Sequence, residues 1–149
     1  KSDSKFVATQ KSILFLTDSG YTASKLVDDK SGIQSFDISP DGRSIVWATK
    51  DENIYVSQNG ESPKYMAKGF DPQWHPHKEA FIFSGARKLG RKTIQHDIKL
   101  MNMFKQSRWL TNTHATDERW PRWLHGATSL IYTVKNTTDI FTLNFENTL

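Results

Sequence analysis

The stretch Ile38-Ser39-Pro40-Asp41-Gly42-Arg43-Ser44-Ile45-Val46-Trp47 decides how this chain is read. An apolar residue closes one short segment, four turn formers follow, and a β-branched and aromatic run begins, which is the pattern of two strands joined by a tight turn. Pro40 presets φ, Asp41 accepts from neighbouring backbone N–H groups, and Gly42 takes the positive φ that ends the turn. The same frame returns as Trp74-His75-Pro76-His77-Lys78 before Phe81-Ile82-Phe83, and as Trp123-Leu124-His125-Gly126-Ala127 before Leu130-Ile131-Tyr132. The turn residues have drifted, but the closing apolar residue always stands seven positions before the next strand.

One strand type begins at Phe6, Ile45, Phe81 and Leu130, spaced 39, 36 and 49 residues apart. A second begins at Ile13, Ile54, Ile98 and Ile140, spaced 41, 44 and 42. A further segment, Lys25-Leu26-Val27, Tyr65-Met66 and Trp109-Leu110, follows each of the first three copies of the second type. No window of a dozen residues sustains helical apolar spacing, so the chain reads as all-β. Four strands in about 40 residues is the period of a propeller blade. The expected fold is a partial or oligomer-completed β-propeller of about four blades of four-stranded antiparallel sheets, with repeat units 1–32, 33–69, 70–116 and 117–149. The terminal blades are incomplete: the first lacks its first strand and the last its fourth, giving three, four, four and three. A six-bladed ring takes about 24 strands. Part of a larger chain, or a homo- or hetero-oligomer, is therefore expected ahead of solitary closure, because open sheet edges invite aggregation. Lys1 in first place is what processing or excision leaves.

The 149 residues suffice for one domain, and 36% hydrophobic with 12% aromatic residues can build its core. Zero cysteines exclude disulfides, thiolate nucleophiles and Cys-based metal sites. Twenty Lys and Arg against sixteen Asp and Glu give a net +4, interleaved along the chain, which favours anionic partners only mildly. No specific nucleic-acid partner is indicated, since no recognition-module signature is present. No apolar run reaches the roughly 18 residues of a transmembrane segment.

The unit of an aromatic residue, Ser-Pro-Asp-Gly, an apolar strand, an Ile-Tyr strand, an apolar strand, and then Pro with an aromatic again resembles the TolB-like (Trp-Asp-like) β-propeller repeat. That repeat also occurs in prolyl oligopeptidase propellers. The best match runs from Ile98-Lys99-Leu100-Met101-Asn102-Met103 through Arg108-Trp109-Leu110-Thr111-Asn112 to Trp120-Pro121-Arg122-Trp123. The resemblance implies a propeller and a periplasmic or secreted location. It leaves function open, because function resides in sites grafted on folds.

His75 and His77 alternate as a metal pair would, but no third ligand is placed by spacing, so they read as solvated loop histidines and no metal or other cofactor is expected. Trp74, Trp123 and Trp47 fall on repeat positions shared with apolar residues and read as packing between blades, whereas Trp120 is free of that pattern. Between its second and third strands the third unit takes seventeen residues, Phe81 to Ile98, where the second takes nine and the fourth ten. The excess, Gly85-Ala86-Arg87-Lys88-Leu89-Gly90-Arg91-Lys92, reads as a basic hairpin extension. Insertions in repeat folds gather on one face, often the binding face. Arg87, Lys88, Arg91 and Lys92, with Trp120, are the expected contacts to a protein partner with an acidic surface. No paired carboxylates, nucleophile elbow or phosphate-cradling glycine loop appears. The chain therefore reads as a non-catalytic interaction or scaffolding module of a bacterial envelope complex. The alternative is a propeller appendage of a prolyl oligopeptidase-like serine peptidase that gates substrate access, and a carbohydrate-binding propeller ranks lowest.

Overall fold

The computed structural model describes residues 5–8, 12–16, 23–89, 93–114 and 116–144. Strands β1 (Lys5–Ala8), β2 (Ser12–Leu16) and β3 (Ala23–Asp28) form one antiparallel sheet. A continuous run follows: β4 (Ile33–Ile38), β5 (Ser44–Thr49), β6 (Asn53–Gln58), β7 (Lys64–Trp74), β8 (Ala80–Leu89), β9 (Thr93–Asn102) and β10 (Ser107–Trp109). Strands β11 (Glu118–Trp123), β12 (Ser129–Val134) and β13 (Ile140–Asn144) form the last sheet.

The seven-stranded run is two blades sharing one long strand. Residues Lys64 to Lys68 of β7 pair with β6, and Gly69 to Trp74 pair with β8, so β7 is the outer strand of one blade and the inner strand of the next. Gly69 is the crossing point. Its φ is 154°, its N–H donates to Glu52 O at 2.8 Å, and a Cβ there would lie 2.3 Å from Ser84 O. The strands thus group as three, four, four and three, an all-β partial propeller, with thirteen strands among the described residues because β7 counts twice.

Burial follows the blade seams. Ile13 packs with Ile33, Ile45 and Trp47 between the first and second blades. Val46, Ala48, Ile54, Val56 and Met66 meet Phe70, Trp74, Phe81, Phe83 and Met101 between the second and third. Ala80, Ile82, Ile98 and Leu100 meet Leu130, Trp123, Tyr132 and Leu143 between the third and fourth. Each fully buried large side chain contributes about 1.5–3 kcal/mol, so the seams hold the stack together. Three of the repeat isoleucines share one register, Ile54 opposite Ala48, Ile98 opposite Ser84 and Ile140 opposite Thr133, and Ile13, opposite Ala8, is shifted by one residue. Ile13, Ile54 and Ile98 are fully buried, whereas Ile140 is 69% exposed because no described sheet covers that face.

The three turns close on the same backbone bond, Ser39 N to Ser44 O at 2.8 Å, His75 N to Ala80 O at 2.8 Å and Leu124 N to Ser129 O at 3.0 Å. In the second, His75 is not a solvated histidine. It is buried, its Nδ1 accepts the His77 amide at 3.0 Å, and its ring lies 4.5 Å from that of Trp123. The imidazole has taken over the turn-stabilising role that Asp41 performs by accepting from the Arg43 amide at 3.1 Å.

Candidate functional site

The excess residues of the third unit lengthen two strands. β8 and β9 run ten residues each, and their ladder continues to Leu89 opposite Thr93. The result is a paired arm rather than a loose loop. Arg87 fastens it at the base: Nε lies 3.2 Å from the buried Asp97 Oδ2, Nη1 donates to Asn112 Oδ1, and the guanidinium lies 4.7 Å from the Trp109 ring centroid. Lys99 Nζ approaches the same indole at 4.7 Å, and burial, aided by the Arg87 charge, holds its pKa below the usual lysine range. Gly85 leaves the room for this stack, since a Cβ there would sit 3.0 Å from the indole. Lys88 is exposed and lies directly across the ladder from Ile94. Arg91 and Lys92 lie outside the described residues.

Beside the arm, Ile94, Gln95, Asp117, Val134, Lys135 and Thr137 line a groove of about 470 Å³ between the third and fourth blades. Asp117 anchors its floor. Its Oδ1 accepts the His96 amide at 3.0 Å, and Oδ2 lies 3.5 Å from Arg119 Nη2 and 3.9 Å from Lys135 Nζ. Burial opposes its ionisation, but the bonds from the His96 main chain and ring, with the Arg119 charge, outweigh it and hold the carboxyl below the usual range.

A second concentration of polar groups lines the inner strands β4, the second half of β7, and β11. Their bulges place Asp71 and Trp120 in the left-handed region, at φ 53° and 51°. Asp71 donates its main-chain N–H to Ser35 Oγ at 3.1 Å, and its carboxylate accepts the Trp120 N–H. Burial pushes the Asp37 and Asp71 carboxyls up, and Arg122 partly offsets this at both. Trp120 is 58% exposed, while Trp47 and Trp74 are buried in the seams. The arm and Trp120 belong to different elements, the paired extension of the third blade and the inner strand of the fourth.

Sequence reading missed the fastening of Arg87 and the buried Glu118. Glu118 accepts from Thr111 Oγ1, from Thr113 Oγ1 at 2.9 Å and from Ile98 N at 3.3 Å. Burial raises its pKa. It ties the segment leading into the fourth blade to β9. Among the described residues, no three His, Asp or Glu side chains converge as metal ligands, and no helix is long and apolar enough to cross a membrane.

These features define a propeller module of the TolB-like fold, built as a partial ring with one extended hairpin. No protein-family model matches the chain and no curated protein matches it. Among solved structures it is similar to TolB from Acinetobacter baumannii, at TM-score 0.69 and 17% identity over 97% of this chain and 39% of that one. It is also similar to a structure of the nidogen/laminin complex, at TM-score 0.67 and 14% identity over 89% of this chain and 52% of that one. The tricorn protease matches at TM-score 0.67 and 14% identity over 91% of this chain and 14% of that one. The chain therefore spans about half or less of the length of each.

Proposed function

We propose that the chain is a non-catalytic protein-interaction module of a bacterial envelope complex, periplasmic or secreted, presenting Lys88, Arg91, Lys92 and Trp120 to a protein partner. Arg87 serves this reading as the clip that positions the arm. Trp120 carries the argument. The bulge imposes a left-handed backbone on that position, which costs a bulky residue on the order of 1–3 kcal/mol, and an indole 58% exposed recovers little of that by burial. Asp71 answers the same backbone demand with a side chain that tolerates it. A tryptophan kept there is best accounted for by contact with something outside the chain. The likeness to TolB supports the envelope setting, and the likeness to a nidogen/laminin complex supports protein contact.

The test places a photoreactive amino acid at Lys88 or at Trp120, with Lys64 as an exposed control elsewhere, in cells producing the protein. A discrete cross-linked protein from the first two sites and none from the third is expected. The same products from all three would overturn the assignment. The likeness to the tricorn protease favours a second reading, a peptidase appendage, and a cross-linked chain carrying a serine-hydrolase nucleophile elbow would establish it instead.

A further inference from the structure

The arm leaves part of each of its strands without a ladder partner. β7 pairs with β8 only as far as Gly85, and β10 pairs with β9 only over Lys99 to Met101. Among the described residues, no strand lies along the outer edge of β9 from Thr93 to Asp97. Alternate residues of a strand direct their N–H and C=O groups to the same edge. On this one the Ile98 amide is taken by Thr111 Oγ1 at 2.8 Å and the His96 amide by Asp117 Oδ1 at 3.0 Å. Ile94 comes next in the alternation and opens on the groove. Its side chain is 60% exposed, far above what a β-branched aliphatic residue gains from in water, and exposed Lys88 stands opposite it in the ladder. Across the groove the Lys135 side chain is 54% exposed. The one acid in the floor, Asp117, meets a backbone amide, Arg119 and Lys135, and against that single carboxylate Lys88, Arg119 and Lys135 leave the charge offered outward positive.

We propose that this groove seats an extended acidic segment of the partner protein, added as a short strand beside Ile94. Residues directly opposite in a ladder share a face, so Ile94 and Lys88 project together. The carboxylates of a segment alternating acidic and apolar residues lie on that face, where they reach Lys88 and Lys135 and rest their methylene stems on Ile94, while the apolar residues take the other face. A helix has no free main-chain groups for the Ile94 edge, and a basic segment meets like charge. The inference rests on the interaction reading above and narrows it to one groove and one kind of ligand.

The test uses the 149-residue chain and two fluorescein-labelled peptides, one alternating Glu and Val and one alternating Lys and Val, read by fluorescence anisotropy. The Glu-Val peptide is expected to bind and the Lys-Val peptide not, with affinity falling as salt rises. Ile94→Ser and Lys135→Gln each weaken binding about tenfold or more, and the thermal midpoint stays within about 2–4 °C of wild type, since the Lys135–Asp117 contact is long and its lysine half exposed. Amide hydrogen exchange at Ile94 slows in the complex, a readout that charge attraction alone does not produce. Equal binding of both peptides, wild-type affinity in both variants, or unchanged exchange at Ile94 overturns the proposal. If those variants bind normally while cross-linking through Lys88 and Trp120 persists, the groove falls and the interaction reading stands.

Discussion

The Trp123 amide donates to Gln73 Oε1 at 2.7 Å, and one blade earlier the Trp74 amide donates to Asp37 Oδ2 at 2.8 Å. Asp37, Gln73 and Arg122 occupy one repeat position, each preceding the apolar residue that ends an inner strand. Two of the three thus accept a main-chain bond from the following blade, and the series stops at Arg122, whose side chain only donates. Gln73→Leu keeps the volume and removes the acceptor, leaving a part-buried amide unpaired. Destabilisation of about 1–3 kcal/mol is expected. In a domain of this size that lowers the thermal midpoint by about 2–4 °C per kcal/mol, readable by calorimetry. Gln73→Glu, which keeps an acceptor, should lose less.

Gly69 and Gly42 both have positive φ, at 154° and 73°, but only one is hemmed in. A Cβ at Gly69 meets Ser84 O at 2.3 Å and the Phe83 ring at 2.8 Å, atoms of the neighbouring strand that move only if the ladder does. A Cβ at Gly42 meets nothing within 4 Å. Gly69→Ala is expected to cost about 2–4 kcal/mol, and Gly42→Ala about 1 kcal/mol from the backbone alone. Urea midpoints measured side by side check the order, and equal losses would mean that β7 does not cross between blades at Gly69.

The acidic groups divide by the sign of their shifts. Burial raises the Asp71 carboxyl above 3.8, so the folded state binds that proton more tightly than the unfolded chain, and its ionised form costs stability at neutral pH. Asp71→Asn retains an acceptor for the Trp120 amide and removes that cost. It should raise the thermal midpoint at neutral pH, with the gain fading as pH falls through the folded pKa of Asp71. Asp117 lies below 3.8, so its contribution is complete above that value and is lost as pH falls through its lower folded pKa. Asp117→Asn should therefore lower the midpoint at neutral pH and match wild type in strong acid. Parallel pH profiles for the two variants would refute this division.

The repeat spacing made the blades legible because strand period and turn chemistry are local properties. Pro40, Asp41 and Gly42 announce their turn without reference to the rest of the chain. The excess between Phe81 and Ile98 announced the arm for the same reason, since length shows in a single sequence. What stayed hidden depends on partners distant in sequence. Arg87 and Lys88 are adjacent and chemically alike, yet Asp97 and Asn112 fasten the first while the second is exposed, and only the fold brings those partners near. His75 looked like a loop residue because its burial comes from Trp123, 48 positions away. Ile94 attracted no notice because a lone isoleucine in a strand pattern is ordinary until its edge and its exposure are known.

Ile98 and Ile140 separate local pattern from tertiary setting most sharply. Both lie on the third strand of a blade, and both face a second-strand residue at the same register, Ser84 and Thr133. Ile98 is fully buried in the seam with Leu130, whereas Ile140 is 69% exposed. Truncating the first removes packed methyl groups and leaves a cavity, so Ile98→Ala is expected to cost about 2–5 kcal/mol. Truncating the second removes groups already in water, and Ile140→Ala in this chain should stay within about 0.5 kcal/mol of wild type. Chemical denaturation of the two variants decides the matter. A loss at Ile140 as large as that at Ile98 would show that in solution this face is covered, and a loss that grows with protein concentration would identify the cover as a second copy of the chain.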